Sequence, residues 1–175
     1  MHYLRFFALA CLLCASTFVF SKSNIDNTQG IVGFAGEHAG MAFSGEFTRW
    51  NAKISLPPEA SPSIEAEFQL ASARTGDAIY DETLPEGDWF DVKNHPVGKF
   101  TSSNIEAVDN GYLVEGTLRL RGKTLPVSFK LNENGERLQS RFAIDRLEYG
   151  IGLDSDPEAD WVSREIQMTL DIPKP

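Results

Sequence analysis

From residue 47 to the end of the chain, apolar and polar residues alternate in short runs, which is typical of β-strands with one buried face. The clearest run is 63–72, in which every second residue from Ile64 to Leu70 is apolar. A shift of one residue would bury the three polar side chains between them, so the register of this strand is well determined. Turn signals such as Asn110-Gly111 separate the runs. The pattern predicts about eight antiparallel strands.

Regular short strands joined by turns are typical of a β-sandwich or a β-barrel. We predict a mainly β fold, an eight-stranded antiparallel up-and-down barrel. Three glycines surround His38 and are interpreted as the bends that a barrel needs at its corners. The connection 75–93 carries the helical signals: Asp77 can cap a short helix that runs to Thr83, and 86–92 can form a second helical turn.

Residues 1–21 have the features of a secretory signal peptide, namely one basic residue, an apolar run and small residues after it, with cleavage near Ser21. A retained membrane anchor is the alternative, but the run is short for a span of about 20 residues. Cys11 and Cys14 lie in this run and fit a lipidation motif poorly. The mature domain is then 22–175, without cysteine, and a bacterial periplasm is its expected location.

The net charge of −9 predicts an acidic surface, and residues 1–21 contribute only one positive charge to it. An acidic surface argues against nucleic acid and against anionic membrane surfaces as partners. It does not bear on an apolar ligand, which the interior of the barrel would recognise.

Signals for catalysis and metal binding are weak. The mature chain has two histidines, His38 and His95, whose separation does not suggest a metal pair, and it has no GxSxG serine. We interpret His38 as fixing a bend and His95 as part of a turn. The acidic clusters at 77–91 and 154–160 lack the spacing of a calcium loop and are predicted to be solvated. An enzyme that uses His38 with a nearby carboxylate is the least favoured hypothesis.

Large apolar side chains occupy the inward faces of the strands, and alternation alone does not distinguish a packed core from a lined cavity. Aromatic residues, concentrated on these faces and on the 80–100 connection, are suited to an apolar ligand. We expect the longest insertion, which carries Trp89 and Phe90, to close one end of the barrel. The predicted ligand-binding residues are Phe47, Trp50, Phe68, Leu70, Trp89, Phe90, Phe100, Tyr112, Leu118, Leu120, Phe129, Phe142 and Met168.

The segment 75–105 resembles the signature region of the YceI-like family. Its matching residues are Thr75, Asp81, Leu84, Trp89, Phe90, Asp91, Pro96, Phe100 and Ser102. Later matches are Gly116, Leu118, Arg121, Gly122, Pro126, Val127, Arg146 and Tyr149-Gly150-Ile151, and earlier ones are His38-Ala39-Gly40 and Gly45-Glu46-Phe47. Tyr80 departs from the family pattern, because many members carry arginine there. The resemblance covers about residues 30–172.

The resemblance implies an extended lipocalin-like barrel, export, and binding of a polyisoprenoid such as an isoprenoid quinone or a prenyl phosphate. No cofactor is required. Some relatives occur beside or fused to cytochrome b561-type membrane proteins, which implies a quinone-linked role. Burial of an isoprenoid chain in an aromatic-lined tube is favourable by about 25 cal/mol per Å² of apolar surface. Candidates for binding the head group are His38, Arg74 and Arg146, unless the arginines pair with carboxylates such as Asp77 or Asp145.

The leading hypothesis is a periplasmic, non-catalytic carrier or store of an isoprenoid-type lipid. The alternative is a solid-core barrel that acts as an interaction partner of a membrane cytochrome or another envelope protein. A homodimer formed through a barrel edge is compatible with either hypothesis.

Overall fold

The computed structural model describes residues 22–175, so the predicted signal peptide at 1–21, with Cys11 and Cys14, lies outside the described residues. Within 22–175 the chain forms eleven strands and one short α-helix. The strands are β1 (Ser23–Asp26), β2 (Ile31–His38), β3 (Met41–Phe47), β4 (Trp50–Ser55), β5 (Ser63–Gln69), β6 (Ala73–Arg74), β7 (Val97–Val108), β8 (Gly111–Leu120), β9 (Lys123–Asn134), β10 (Arg137–Asp145) and β11 (Glu165–Pro173); the helix is α1 (Ala78–Thr83).

The strands pair antiparallel in one sheet, in the order β1-β4-β5-β7-β8-β9-β10-β11-β2-β3-β6, which curls into a half-barrel. From β7 to β11 neighbours in sequence are neighbours in the sheet, and β11 then pairs with β2. The predicted mainly β, lipocalin-like antiparallel fold is confirmed. The strand number is eleven rather than eight, because β1 lies in a polar stretch, the glycines around β3 were interpreted as bends, and β6 has two residues.

The 3-10 turn Leu70–Ser72 joins β5 to β6 and bonds the connection between β3 and β4, so the two ends of the strand order come together there without a strand pair. The N–H of Thr48 donates to the carbonyl of Ser72, and the N–H of Gln69 donates to that of Arg49, both at 3.0 Å. The buried Ser72 hydroxyl accepts from the N–H of Arg49 (3.0 Å) and donates to the carbonyl of Gln69 (2.7 Å). The strand predicted to reach Ser72 therefore ends at Gln69.

Helix α1 begins at the predicted capping residue. The carboxylate of Asp77 accepts hydrogen bonds from the N–H groups of Ile79 (2.8 Å) and Tyr80 (3.3 Å), two donors that have no partner within the helix. The helix ends at Thr83, as predicted. Among residues 22–175, no helix is long and apolar enough to cross a bilayer.

The second helical turn predicted at 86–92 is wrong. Those residues form turns in which the N–H of Phe90 bonds the carbonyl of Leu84 and the N–H of Val92 bonds that of Pro85, spacings longer than the helical one. Asp91 has a φ of 48°, which takes the backbone out of the right-handed helical region. The segment therefore folds back over the end of the sheet.

Two phenylalanine rings lie directly over glycines of the neighbouring strand. Phe68 is the register partner of Gly98, and Phe34 is the register partner of Gly45. A Cβ atom on either glycine would overlap the ring of its partner. Because glycine has no side chain, the rings can lie against the sheet backbone.

Candidate functional site

An apolar cavity of about 150 Å³, the lumen cavity, lies inside the curled sheet. Eleven of the thirteen predicted ligand-binding residues line it: Phe47, Trp50, Phe68, Trp89, Phe90, Phe100, Leu118, Leu120, Phe129, Phe142 and Met168. Among the described residues, Arg146 is the one charged side chain on this wall. The inward alternation thus identifies much of the wall, while contact of these residues with a ligand stays a prediction.

Leu70 and Tyr112 are buried, but the structure does not place them on the wall of the lumen cavity. Leu70 belongs to the 3-10 turn that joins β5 to β6. Tyr112 is the second residue of β8, next to the β7–β8 turn and at the opposite end of β8 from Leu118 and Leu120. Alternation predicts which face of a strand is buried, but it does not predict where along the lumen each buried residue lies.

Aromatic rings contact one another around the lumen cavity. The centroids of Phe47 and Phe68 are 5.0 Å apart, and the rings of Phe129 and Phe142 stack at 4.7 Å. Such pairs add about 0.5–1.5 kcal/mol each to the stability that comes from burial alone. The buried indole N–H of Trp50 has no hydrogen-bond partner within residues 22–175. Apart from Arg146, the wall is therefore apolar and largely aromatic, and it carries one unpaired donor.

The sequence reasoning missed two aromatic residues of the wall, Phe34 in β2 and Phe43 in β3. The ring of Phe34 lies 5.5 Å from that of Phe47. The signal was present, because Met41, Phe43, Gly45 and Phe47 follow the same two-residue period. The glycines of this region suggested bends instead of a continuous strand.

The side chain of Arg146 is 1% exposed and all five of its N–H donors are used. They bond the carboxylate of Asp156 (2.6 Å) and the backbone carbonyls of Ser163 (3.1 Å), Ile151 (2.8 Å), Gly152 (3.4 Å) and Val162 (2.9 Å). Burial lowers the pKa of the guanidinium, and the nearby carboxylates oppose that shift. Arg146 therefore holds the 146–163 loop in place and has no donor left for a head group.

Asp156, predicted to be solvated, is 5% exposed and is the partner of Arg146. Its carboxylate also accepts hydrogen bonds from the N–H groups of Asp160 (2.8 Å), Trp161 (3.2 Å) and Val162 (2.9 Å). Burial by itself raises the pKa of this carboxyl, but the three N–H groups and Arg146 outweigh burial and hold the pKa below its ordinary value. The prediction of a solvated cluster is therefore wrong for Asp156.

The 84–96 segment and the 146–163 loop are tied together over one end of the sheet and form a cap. Arg121 donates to the carbonyls of Gly87 and Gly150, one in each part of the cap. The carboxylate of Asp88 accepts from the N–H of Asp154 (2.9 Å) and from that of Ser155 (3.0 Å). The prediction that the stretch with Trp89 and Phe90 closes one end of the barrel agrees with this arrangement.

A second cavity, the side cavity, has a volume of about 160 Å³ and lies between α1 and the β2–β3 hairpin. Its wall consists of Phe34, His38, Phe43, Thr75, Ile79, Tyr80, Thr83, Leu84, Trp89 and Val162. Nδ1 of His38 and the hydroxyl of Tyr80 are hydrogen-bonded at 2.8 Å, and the two rings meet edge to face. His38 therefore lies at a cavity and does more than fix a bend.

The other predicted polar residues line neither cavity. Arg74 is exposed and donates to the carbonyls of Ala71 (3.0 Å) and Ala73 (2.6 Å), so its expected partner Asp77 is not the one it binds. His95 lies in a turn, as predicted, with Nε2 3.8 Å from the carboxylate of Asp91. The part of the chain that the structure describes contains no group of three or more His, Cys, Asp or Glu side chains able to hold a metal ion.

We expect Trp89→Ala to weaken ligand retention more than folding. Trp89 is half-buried, lines both cavities and lies 5.9 Å below the Arg146 guanidinium carbon, so its removal opens the wall between cavities and cap. Loss of this contact area should reduce the affinity for an isoprenoid about tenfold or more. Trp161→Ala is the matched control, since Trp161 is 64% exposed and lines neither cavity. A Trp89→Ala protein that is unfolded would show that this residue serves the core alone.

The comparisons with known proteins agree with the fold. The YceI-like domain family matches residues 24–173. A UPF0312 protein of Photorhabdus laumondii is 29% identical over 132 residues, which cover 73% of this chain and 69% of the relative. A UPF0312 protein of Pseudomonas putida is 37% identical over 95 residues, which cover 54% of this chain and 47% of the relative.

Two solved structures show the same fold at low sequence identity. BcnA of Burkholderia cenocepacia superposes with a TM-score of 0.77 at 24% identity, covering 85% of this chain and 98% of that one. A polyisoprenoid binding domain from Saccharophagus degradans superposes with a TM-score of 0.61 at 14% identity, covering 88% and 99%. The matched region spans nearly the whole described chain, as the sequence resemblance predicted. The chain belongs to the YceI-like family.

Proposed function

We propose that this protein binds an isoprenoid-type lipid in the lumen cavity and acts as a carrier or store without catalysing a reaction. The observation that carries the proposal is the apolar lumen cavity itself, with its aromatic wall. A fold shared with a polyisoprenoid binding domain supports it. Neither family membership nor the cavity specifies the head group, so an isoprenoid quinone and a prenyl phosphate are both candidates.

The size of the lumen cavity limits how such a lipid can bind. A dry apolar cavity of roughly 150 Å³ takes up a benzene-sized molecule. A longer isoprenoid chain must therefore displace side chains along the lumen, whose wall includes the stacked rings of Phe129 and Phe142. Binding then exchanges ring–ring contacts for ring–lipid contacts, and the gain comes from removing the lipid from water.

The proposed setting is the bacterial periplasm, reached after removal of residues 1–21. A homodimer and a cytochrome b561-type membrane partner remain predictions from the sequence. The lumen cavity favours a lipid-binding protein over the alternative of a solid-core interaction partner, since a solid core leaves no space along the axis. Cell fractionation with an antibody against the protein tests the location independently of the ligand.

Organic extraction of the protein purified from its native host, followed by mass spectrometry, tests the proposed function. We expect an isoprenoid lipid to co-purify at up to one molecule per chain, because residues 22–175 enclose a single such lumen cavity. Protein with no bound lipid should take up added isoprenoid. Absence of any isoprenoid in the extract, together with no uptake by the empty protein, would contradict the proposal.

A further inference from the structure

The side cavity adjoins the lumen cavity. Five side chains line both cavities: Phe34, Phe43, Leu84, Trp89 and Val162. The two cavities therefore share part of their walls, and movement of these shared side chains would let one molecule occupy both. The lumen cavity is apolar, whereas the side cavity adds the polar groups of His38, Thr75, Tyr80 and Thr83 to its wall.

The His38–Tyr80 pair offers a hydrogen-bond donor in either tautomer of the imidazole. If the Tyr80 hydroxyl donates to Nδ1, the proton of the ring is on Nε2, which has no partner among the described residues. If Nδ1 donates to the tyrosine oxygen, the hydroxyl proton of Tyr80 is free to donate instead. A ligand oxygen with a lone pair therefore finds a donor at this pair in both cases.

The wall of the side cavity provides no fixed positive charge for a phosphate. No lysine or arginine within residues 22–175 lines it, and Arg146, on the lumen wall, is neutralised by Asp156. Beside the wall, Oδ1 of Asp81 accepts from the N–H (2.6 Å) and the hydroxyl (2.9 Å) of Thr75, and these bonds together with the exposed Arg74 lower the pKa of that carboxyl. The two charges beside the cavity therefore oppose each other. An unpaired anion that leaves water for such a site loses hydration without compensation.

We infer that the side cavity binds an uncharged, oxygen-bearing head group, such as a quinone carbonyl or an alcohol, through the His38–Tyr80 pair. This inference rests on the proposed function and decides between its two candidate lipid classes. The isoprenoid chain lies in the lumen cavity, the head group lies between α1 and the β2–β3 hairpin, and a prenyl phosphate is discriminated against.

Two C20 probes with the same chain separate the head group from the tail. Geranylgeraniol and geranylgeranyl monophosphate are titrated below their aggregation limits against protein loaded with the fluorescent probe N-phenyl-naphthylamine. We expect the alcohol to displace the fluorophore at a concentration about tenfold or more below that of the phosphate, because the phosphate must give up its hydration.

Two substitutions test whether the side cavity is where the alcohol and the phosphate are distinguished. Tyr80→Phe keeps the ring and removes the hydroxyl. We expect it to weaken binding of geranylgeraniol about five-fold and not to strengthen binding of the phosphate. Thr83→Lys adds a cation to the wall of the side cavity, and we expect it to strengthen binding of geranylgeranyl monophosphate about tenfold. Thr101→Lys adds the same charge at an exposed position of β7 that lines neither cavity, and should shift neither probe.

The outcomes separate the inference from the proposed function. Equal or tighter binding of the phosphate overturns the head-group inference while lipid binding stands. Preference for the alcohol that is unchanged in both Tyr80→Phe and Thr83→Lys overturns the assignment of the side cavity. Failure of both probes to displace the fluorophore overturns the proposed function, and the inference with it.

Discussion

Asp156→Ala should destabilise this protein by about 3–5 kcal/mol, because it leaves the buried guanidinium of Arg146 without its counter-charge. The substitution also removes the acceptor of the N–H groups of Asp160, Trp161 and Val162, so the 146–163 part of the cap loses its internal support. Urea unfolding followed by circular dichroism measures the change as a lower midpoint at similar slope.

Matched variants identify the cause. Arg146→Met should cost at least as much as Asp156→Ala, because it leaves the Asp156 carboxylate without its counter-charge and also removes the donors to the carbonyls of Ile151, Val162 and Ser163. Arg146→Lys should also be less stable than the unsubstituted protein, because an ammonium group has three donors in place of the five of a guanidinium. Glu67→Ala breaks an exposed ion pair with Lys99 and should cost at most about 1 kcal/mol. Equal costs for Asp156→Ala and Glu67→Ala would contradict the role assigned to the buried pair.

The acid sensitivity of the protein provides a second check on this pair. The pKa of Asp156 is held below its ordinary value of 3.8 in the folded protein, so its contribution is fully present at pH values above the unfolded pKa. That contribution is lost as the pH falls through the folded pKa. The stability of the Asp156→Ala variant should therefore depend less on pH in this acidic window than that of the unsubstituted protein.

Ala66→Phe should abolish lipid uptake while the protein remains folded. Ala66 and Ala52 are register partners in β5 and β4, and both line the lumen cavity, so this part of the wall has the smallest side chains. A cavity of roughly this size accommodates benzene, and the introduced phenyl ring would occupy the same space. We expect uptake of an isoprenoid to fall about 100-fold or more, at a stability cost of about 1–3 kcal/mol.

Ala143→Phe is the control for this substitution. Ala143 is exposed on β10 and lines neither cavity, so the same increase in volume should leave uptake unchanged. Uptake and thermal unfolding are measured on both variants and on the unsubstituted protein. Normal uptake by a folded Ala66→Phe protein would show that the lipid binds somewhere other than the lumen cavity.

The strands and much of the lumen wall could be predicted because side-chain direction alternates along a strand. Phe68 and Ala66 point inward for a local reason that needs no knowledge of distant residues. Arg146 does pair with a carboxylate, but the partner is Asp156 and not Asp145. Asp145 is the last residue of β10, and its carboxylate pairs instead with Arg164 at 2.6 Å.

The partners of buried polar groups could not be predicted, because they depend on how loops return to the sheet. Asp156 reaches Arg146 through a loop of no regular pattern, and its sequence neighbours are all typical of a solvated turn. The His38–Tyr80 pair joins residues 42 positions apart, one at a strand end and one on α1. Each contact depends on where an element packs against the rest of the fold. The sequence predicts that the element exists but does not predict where it packs.

The glycines beneath Phe34 and Phe68 have a consequence for the width of the space that a lipid could fill. A ring that lies flat on the backbone of the next strand takes less of the cross-section than one held off by a methyl group. Gly45 and Gly98 therefore widen the lumen without placing a side chain in it. The width of the lumen can be changed by substitution at these two positions, although neither would contact a bound lipid.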